Sequence, residues 1–373
     1  MKKTKVLHII TRFIRGGADE NTLITAAGNA KKYDVTLAFG SEYNSDFLDE
    51  AKNEKIKIKI LRNLRHNKFL SYPFAFFEIL SFLKKEKFDI VHTHTSEAGF
   101  LGRIAAKIAG VPIIVHTVHG TSFTEHRSFI MNKIAVCFER FCAGFTDKII
   151  SNSEALTEEY LSRKIGKSEK YATVASGINL KRFSPKPLPK NKIVTFAFAG
   201  RLAEQKGVMN LVLAAKKLEK EKLKIIIAGG GELREKIEHK IKELGIKNIS
   251  MLGEVKNIVP VIESADAVVV PSLWEGTPRI IYEAMAVGRA VIASDVHGVK
   301  NQVIDKKTGL LVSPGDADEL SEKMLLLAKN PEMRKSMGLA AAEASKKFGH
   351  ENLVNGVEDV YFQLLKQKRI KIN

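Results

Sequence analysis

At 373 residues the chain exceeds the size at which one hydrophobic core stops growing, so two domains of about 180 residues each are expected. Its 45% hydrophobic content supports sizeable cores, and the lack of any run of about 18 uncharged apolar residues argues against a membrane-spanning helix. A formal net charge of +18, shared by both halves, favours anionic partners such as phosphorylated substrates, anionic lipid or nucleic acid without choosing among them.

The opening MKKTKVLHII is basic and then apolar, but the apolar run is too short for a secretory leader and no small-residue cleavage site follows. It reads as a first strand. Val- and Ile-rich runs predict further strands near 35–39, 57–61, 89–92, 112–117, 147–151 and 171–174, with helix-period segments between them. The two cysteines, Cys137 and Cys142, lie in a predicted helix without His or Cys at ligand spacing, which implies reduced thiols in a cytoplasmic protein. In SGINLKRFSPKPLPKNK, Pro185, Pro187 and Pro189 disfavour helix and mark a linker. Alternation then restarts, with strands near 193–199, 224–228, 248–252, 267–270, 290–294 and 309–312, followed by helices. The pattern is α/β: two Rossmann-like, doubly wound domains, whose sheet edges are expected to face across a cleft where such sheets take ligands.

Four loops carry candidate chemistry. In TRFIRGGADEN, Gly16 and Gly17 make either a tight turn or a ligand-facing helix start. GRLAEQKG puts Arg201 and Lys206 at a strand's carboxyl edge, where a forked and a mobile cation suit a diphosphate, or are ordinary loop charges. AGGGELRE offers Gly229, Gly230 and Gly231 as a ligand-facing or purely steric turn. In PSLWEGTPRIIYEAMAVG, Thr277 as cap and Pro278 as first residue predict a helix over 278–287. Glu275 then lies outside the helix and Glu283 in its second turn. Eight residues of helix would separate the two by about 12 Å, too far for a shared proton. An anion at the helix start, with a carboxylate on either side accepting from neutral hydroxyls, describes a sugar nucleotide.

His92, His94, His116 and His119 fall at the ends of two strands. No clustered Cys, Asp or Glu completes a zinc site, so structural hydrogen bonding is expected for the first three and ligand contact for His119, which precedes Gly120 in a loop. Asp316 and Asp318 in SPGDADEL read as an acidic helix start and not a metal site. FLSYPFAFFEILSFLKKEK is apolar nearly all round, which suits a helix buried against the sheet and also permits contact with a membrane surface.

In order and spacing, the GG loop, HTHTSEAGFLGRIAAKIAGVPIIVHTVHG, ASGINLKRFSP, GRLAEQKG, PSLWEG through EAMAVGRAVIASDVHG, and TGLLVSP resemble the retaining glycosyltransferases of the GT-B fold in family 4, which share an E-x7-E motif. The resemblance spans nearly the whole chain. It implies an acceptor-side Rossmann-like domain over 1–180, a linker over 181–192, a nucleotide-sugar-binding Rossmann-like domain over 193–350, and a helix over 351–373 that packs back toward the first domain. It also implies that Arg201 and Lys206 contact the donor pyrophosphate, Glu283 the nucleotide ribose and Glu275 the donor sugar's hydroxyls. Gly276, Thr277, Arg279 and Ile280 join this donor site, Gly17 borders the donor phosphate and acceptor, and His119 lies beside the transferred sugar. His119 and Glu275 are thus the catalytic candidates.

The implied reaction moves a hexose or N-acetylhexosamine from a nucleotide sugar, expected to be UDP-linked, to a hydroxyl of a glycan or lipid-linked acceptor in cell-surface glycan synthesis. In such enzymes a front-face mechanism is usually proposed, with the leaving phosphate helping to deprotonate the acceptor. No metal or other cofactor is expected. Peripheral contact with an anionic membrane is permitted by the charge, while nucleic acid is not expected because the basic residues are not interleaved with aromatics in one motif. Three departures bear on donor identity: EGTPRI replaces the family's EGFGLV, so that Pro278 lacks an amide and Arg279 adds a cation; Asn301 or Gln302 stands near a usual glutamate; and Asn179 replaces an aspartate. A GT-B sugar-nucleotide epimerase and a noncatalytic sugar-nucleotide-binding subunit are the alternatives.

Overall fold

Strands buried on both faces read as continuous apolar runs, and here they form two all-parallel sheets in a computed structural model that describes residues 3–14, 16–54, 56–120, 123, 128–190 and 192–370. The first part of the chain runs β1 (Lys5–Ile10), α1 (Gly17–Asn29), β2 (Asp34–Gly40), α2 (Ser45–Asn53), β3 (Lys57–Leu61), α3 (Tyr72–Glu86), β4 (Ile90–His94), α4 (Ser96–Ile108), β5 (Ile113–Val118), α5 (Phe129–Phe145), β6 (Lys148–Ser151), α6 (Glu154–Ser162) and β7 (Tyr171–Thr173). These strands make a seven-stranded sheet in the order β3-β2-β1-β4-β5-β6-β7.

The second part runs β8 (Val194–Ala199), α7 (Val208–Lys217), β9 (Leu223–Ala228), α8 (Arg234–Glu243), β10 (Ile249–Gly253), α9 (Val259–Ser264), β11 (Ala267–Val270), α10 (Arg279–Ala286), β12 (Ala290–Ser294), β13 (Gly309–Val312), α11 (Ala317–Lys329) and α12 (Pro331–Ser345). Its six-stranded sheet has the order β10-β9-β8-β11-β12-β13. Both are doubly wound, Rossmann-like sheets. Asp316 caps α11 by accepting from the backbone N–H groups of Asp318 and Glu319, each at 2.9 Å. Cys137 is exposed and Cys142 buried, and both are free thiols.

The chain divides into two compact units, one of residues up to Gly177 together with the chain from His350 onward, the other Ile178–Gly349. The last helix, α13 (His350–Gln367), lays Leu353, Val357, Val360, Tyr361, Leu364 and Leu365 into the same core as Val6, Ile10 and Leu37. Its approach to α1 is close enough that a Cβ on Gly28 would lie 2.3 Å from a Val354 methyl. The proline-rich stretch after Gly177 belongs to the second unit. There the buried Arg289 guanidinium donates to the carbonyls of Lys186 at 2.8 Å, Pro187 at 3.0 Å and Glu263 at 2.9 Å, fastening that stretch to the sheet layer. Asn179 accepts from the backbone N–H groups of Lys181 and Arg182, the local turn an aspartate would also make.

One helix departs from expectation. In α3 only Ala75, Ile79 and Leu83, a single four-residue-spaced stripe, are buried; Phe74 and Phe77 are each 65% exposed. Docking on α4 uses that one stripe, so the opposite apolar face stays in solvent.

Candidate functional site

In the second sheet β8 and β11 are neighbours whose chain connections depart to opposite flanks, so the loops leaving their carboxyl ends open a crevice. The GRLAEQKG loop follows β8 and the PSLWEGTP loop follows β11. Their contact is tight: a Cβ on Gly207, whose φ is +60°, would lie 1.9 Å from Pro271 O. Glycine is required there. Lys206 Nζ pairs with Glu275 Oε1, the Ser272 hydroxyl donates to the same oxygen at 3.0 Å, and Gln205 Nε2 donates to Oε2 at 3.4 Å. The Glu275 side chain is only 6% exposed, so one cation and two neutral donors compensate a sequestered carboxylate.

The helix carrying Glu283 starts one residue later than expected. Pro278 has φ −68° and ψ 113°, an extended conformation, and occupies the cap position itself. Its carbonyl accepts from the buried Gln302 amide at 3.1 Å and from Ile281 N at 3.2 Å, which holds it outside the helical turn. Thr277 therefore does not cap α10, and its buried hydroxyl finds no partner among the described residues. Gln302 thus supports the loop through Pro278. Arg279 opens the helix and reaches Glu283 four residues on, with 3.8 Å between Nη2 and Oε1. Arg201 is exposed, while Gly276 and Ile280 are half-buried beside this cluster. Of the three glycines at 229–231 two have no backbone room for a side chain, since a Cβ on Gly229 would lie 1.9 Å from Gly200 O and one on Gly231 2.5 Å from Leu202 O, whereas one on Gly230 would meet only the Glu254 side chain. Gly298 backs the other loop in the same way, with its would-be Cβ 1.8 Å from Gly276 O.

In the first sheet the switch point lies between β1 and β4. The loops after β1, β4 and β5 line a cavity of about 330 Å³ that includes Gly16, Gly17, Asp19, Glu97 and His119. Gly16 caps α1 in an extended conformation and Gly17 is its first helical residue. Thr95, at the end of β4, has φ +61°, a costly conformation for a β-branched residue. Its hydroxyl stabilises it by bonding the Thr11 hydroxyl at 2.7 Å and its neighbour's carbonyl, His94 O, at 2.5 Å. Glu97 accepts from Thr11 Oγ1 at 3.3 Å and lies 2.7 Å from His66 Nδ1. Burial raises the Asp19 carboxyl to about 6, although the Arg12 charge and backbone hydrogen bonds oppose the rise.

Two family patterns match consecutive stretches of this chain: Glycosyltransferase Family 4 over residues 17–182 and Glycosyl transferases group 1 over residues 180–344. The chain belongs to glycosyltransferase family 4. Among its relatives is the UDP-Gal:alpha-D-GlcNAc-diphosphoundecaprenol alpha-1,3-galactosyltransferase of Escherichia coli, 28% identical over 340 residues that cover 87% of each chain. Another is a Campylobacter jejuni alpha-1,4-N-acetyl-D-galactosaminyltransferase whose named acceptor is a PP-undecaprenol glycan, 26% identical over 92% of this chain and 94% of that one. The fold of this glycosyltransferase is that of Anabaena Alr3699/HepE in complex with UDP and glucose, with TM-score 0.85 at 19% identity over 96% of this chain and 100% of the other. Sucrose-phosphate synthase from Thermosynechococcus elongatus gives TM-score 0.84 at 21% identity, over 98% of this chain and 100% of that one. The fold is GT-B.

In this glycosyltransferase the sequence-selected residues form two groups. Arg201, Lys206, Glu275, Gly276, Thr277, Arg279, Ile280 and Glu283 lie on the two loops and one helix at the second unit's switch point, whereas Gly17 and His119 line the first unit's cavity. Sequence reasoning did not select Ser272, Gln205, Asp19, Thr95 or Glu97. An acidic residue two positions after the glycine pair was the available signal for Asp19; nothing local announces Glu97, whose partners are a histidine and a threonine from other loops. His116 bonds Thr93 at 2.9 Å and lies under α4, where a Cβ on Gly99 would come within 2.6 Å of its ring. Among the described residues no helix is long and apolar enough to cross a membrane.

Proposed function

We propose that the protein is a retaining glycosyltransferase that moves a hexose or N-acetylhexosamine from a UDP-linked donor to a hydroxyl of a glycan or lipid-linked acceptor. The observation that carries this reading is the pair of ion pairs, Lys206 with Glu275 and Arg279 with Glu283, at one switch point. Each cation has a carboxylate partner that it exchanges for a phosphate when a diphosphate enters, and each carboxylate is then released to accept from a hydroxyl. Glu275 takes the sugar end and Glu283 the ribose end. The named donors and acceptors of the Escherichia coli and Campylobacter jejuni relatives, and the UDP and glucose held by the Anabaena neighbour, support the same chemical class.

In the proposed reaction the bond from the anomeric carbon to the leaving phosphate oxygen breaks while the acceptor oxygen bonds to that carbon from the same face. The acceptor's proton passes to the leaving phosphate. The protein's contribution is to hold the groups and to stabilise the charge that develops on the phosphate, through Lys206 and Arg201. The cavity of the first unit, with Gly17 and His119 on its wall, is assigned to the transferred sugar and the acceptor hydroxyl. A thermal-shift and hydrolysis screen across UDP-, GDP- and ADP-sugars tests the donor class, with UDP-sugars expected to give the largest shift. Glu283→Ala should weaken donor binding by about 10- to 100-fold, the value of a charge-assisted hydrogen bond. Unchanged donor affinity would remove Glu283 from the site, and an epimer formed from the sugar nucleotide alone would favour epimerase chemistry.

A second observation bears on the acceptor. Phe74 and Phe77 on α3, and Phe129, Ile134, Phe138 and Phe141 on α5, are all exposed, and both helices pack against α4. The same helices carry exposed cations, Lys84 and Lys85 on α3 and Lys133 and Arg140 on α5. Exposed apolar side chains on helices that also carry exposed cations suit the interface of an anionic bilayer, where a lipid-linked acceptor resides. Co-sedimentation with vesicles rich in anionic phospholipid is expected, and should fall on Phe74→Ser with Phe138→Ser. Protein left in the supernatant at low salt would refute the contact.

A further inference from the structure

His119 ends a buried line of hydrogen bonds that runs from the cavity wall to the C-terminal helix. Its Nε2 is 3.0 Å from His94 Nδ1, and His94 Nε2 is 3.0 Å from His8 Nδ1. His8 Nε2 is 3.5 Å from Tyr361 Oη, which lies 2.5 Å from His92 Nδ1; His92 Nε2 is in turn 2.6 Å from Thr117 Oγ1. Parallel register explains the assembly. His8 of β1 is paired with His92 of β4, His94 follows two residues later on the same face, and His94 is paired with Thr117 of β5. Tyr361, 269 residues from His92, is brought over this face by α13.

His8, His92, His94 and Tyr361 are at most 1% exposed. Burial pushes the His8 imidazole down to about 3 and holds His92 and His94 well below the usual histidine range, while it holds the Tyr361 phenol well above its own. All four are neutral at physiological pH. A neutral imidazole has one N–H and one lone pair, so fixing the direction of one bond fixes the whole line. A phenol O–H is a stronger acid than a neutral imidazole N–H, so in the short Tyr361–His92 contact the phenol donates. Tyr361 Oη then accepts from His8 Nε2–H, His8 Nδ1 from His94 Nε2–H, and His94 Nδ1 from His119 Nε2–H.

We propose that Tyr361 is a positioning residue for the transfer reaction, whose hydroxyl, acting through His8 and His94, holds His119 in its Nε2–H tautomer and commits Nδ1 to accepting a hydrogen bond. A sugar hydroxyl that reaches Nδ1 must donate to it, which selects one hydroxyl orientation at the cavity wall. The functional half of this proposal rests on the glycosyl-transfer reading above. The tautomer itself does not, because it is a property of the chain without substrate.

The test is long-range ¹H–¹⁵N correlation on the full chain labelled with ¹⁵N-histidine. Wild-type His119 should show a protonated Nε2 and a lone-pair Nδ1, and Tyr361→Phe, which removes only the oxygen, should convert it to a mixture of tautomers. With the best donor from the nucleotide screen, Tyr361→Phe should lower kcat about tenfold, the value of one hydrogen bond, and leave the donor KM within about twofold. A wild-type His119 protonated on Nδ1 overturns the proposal whether or not the variant folds. An altered tautomer with unchanged kcat overturns the positioning role. The ring nitrogens of His8, His92 and His94 lie within 4.8 Å of one another, close enough for a metal ion. Stoichiometric metal in the purified protein, bound through these histidines, would also overturn the proposal.

Discussion

Asp19 is held protonated more firmly by the fold than by the unfolded chain. Its ordinary value of 3.8 rises to about 6 because the carboxyl is buried in the first turn of α1. The stability that this proton contributes is complete below about pH 4 and is lost as pH rises through about 6, so the ionised carboxylate destabilises the first unit near neutrality. Asp19→Asn should therefore raise the melting temperature at about pH 8, by the equivalent of up to about 3 kcal/mol, and change it little at about pH 4. Equal melting temperatures for variant and parent at the higher pH would show that Asp19 is not strained. A residue kept at such a cost on a cavity wall is a functional candidate. Legibility at this scale follows sequence distance. Glu275 and Glu283 were visible because a Thr-Pro between them punctuates the chain locally. Asp19, Glu97, His8 and Tyr361 were not, because their significance comes from partners on other elements.

The strands were legible almost to the residue, since a strand buried on both faces writes itself as an uninterrupted apolar run and its neighbours are helical in period. The start of α10 was not. Thr-Pro has the local chemistry of a cap and first turn, yet the Gln302 amide holds the Pro278 carbonyl in an extended residue and shifts the cap by one. Gln302→Ala should cost about 1–2 kcal/mol in urea unfolding, because it leaves the Pro278 carbonyl short of a buried donor. It should also weaken donor binding, because Thr277 and Arg279 sit on either side of that proline. Donor affinity equal to that of the parent would detach the cap from the site. The one-faced burial of α3 is the other element-level surprise: its sequence is apolar on nearly every side, but a helix on an outer layer has only one face to give to its neighbours.

At the scale of the molecule, the first unit is discontinuous, closed by the last helix of the chain. Leu353, Val357, Val360, Tyr361, Leu364 and Leu365 of α13 are each at most 6% exposed. Their burial is worth on the order of 10 kcal/mol, comparable with the whole stability of a domain. Deleting residues 350–373 should therefore abolish the cooperative unfolding of the first unit and leave a chain with one transition, that of the second unit. A truncated protein that keeps the parent's calorimetric profile would show that α13 is dispensable. The same deletion removes Tyr361 from the histidine line, so this helix joins stability to the geometry at the cavity wall.

By itself the sequence determined the two runs of alternating strand and helix, a break in the proline-rich stretch between them, the family motifs and the loops that carry them; the unit boundary at Gly177 came from the structure. Those features are written in local periodicity, in proline and glycine punctuation, and in short-range spacing. Only the tertiary structure decided which carboxylate meets which cation, which face of α3 stays in solvent, and how four histidines and one tyrosine line up behind a cavity. Such partnerships are set by strand order and register within the parallel sheet, which join residues 86 positions apart, and by the docking of α13, which joins residues 269 apart. No window of sequence short enough to show a period contains both members of those pairs.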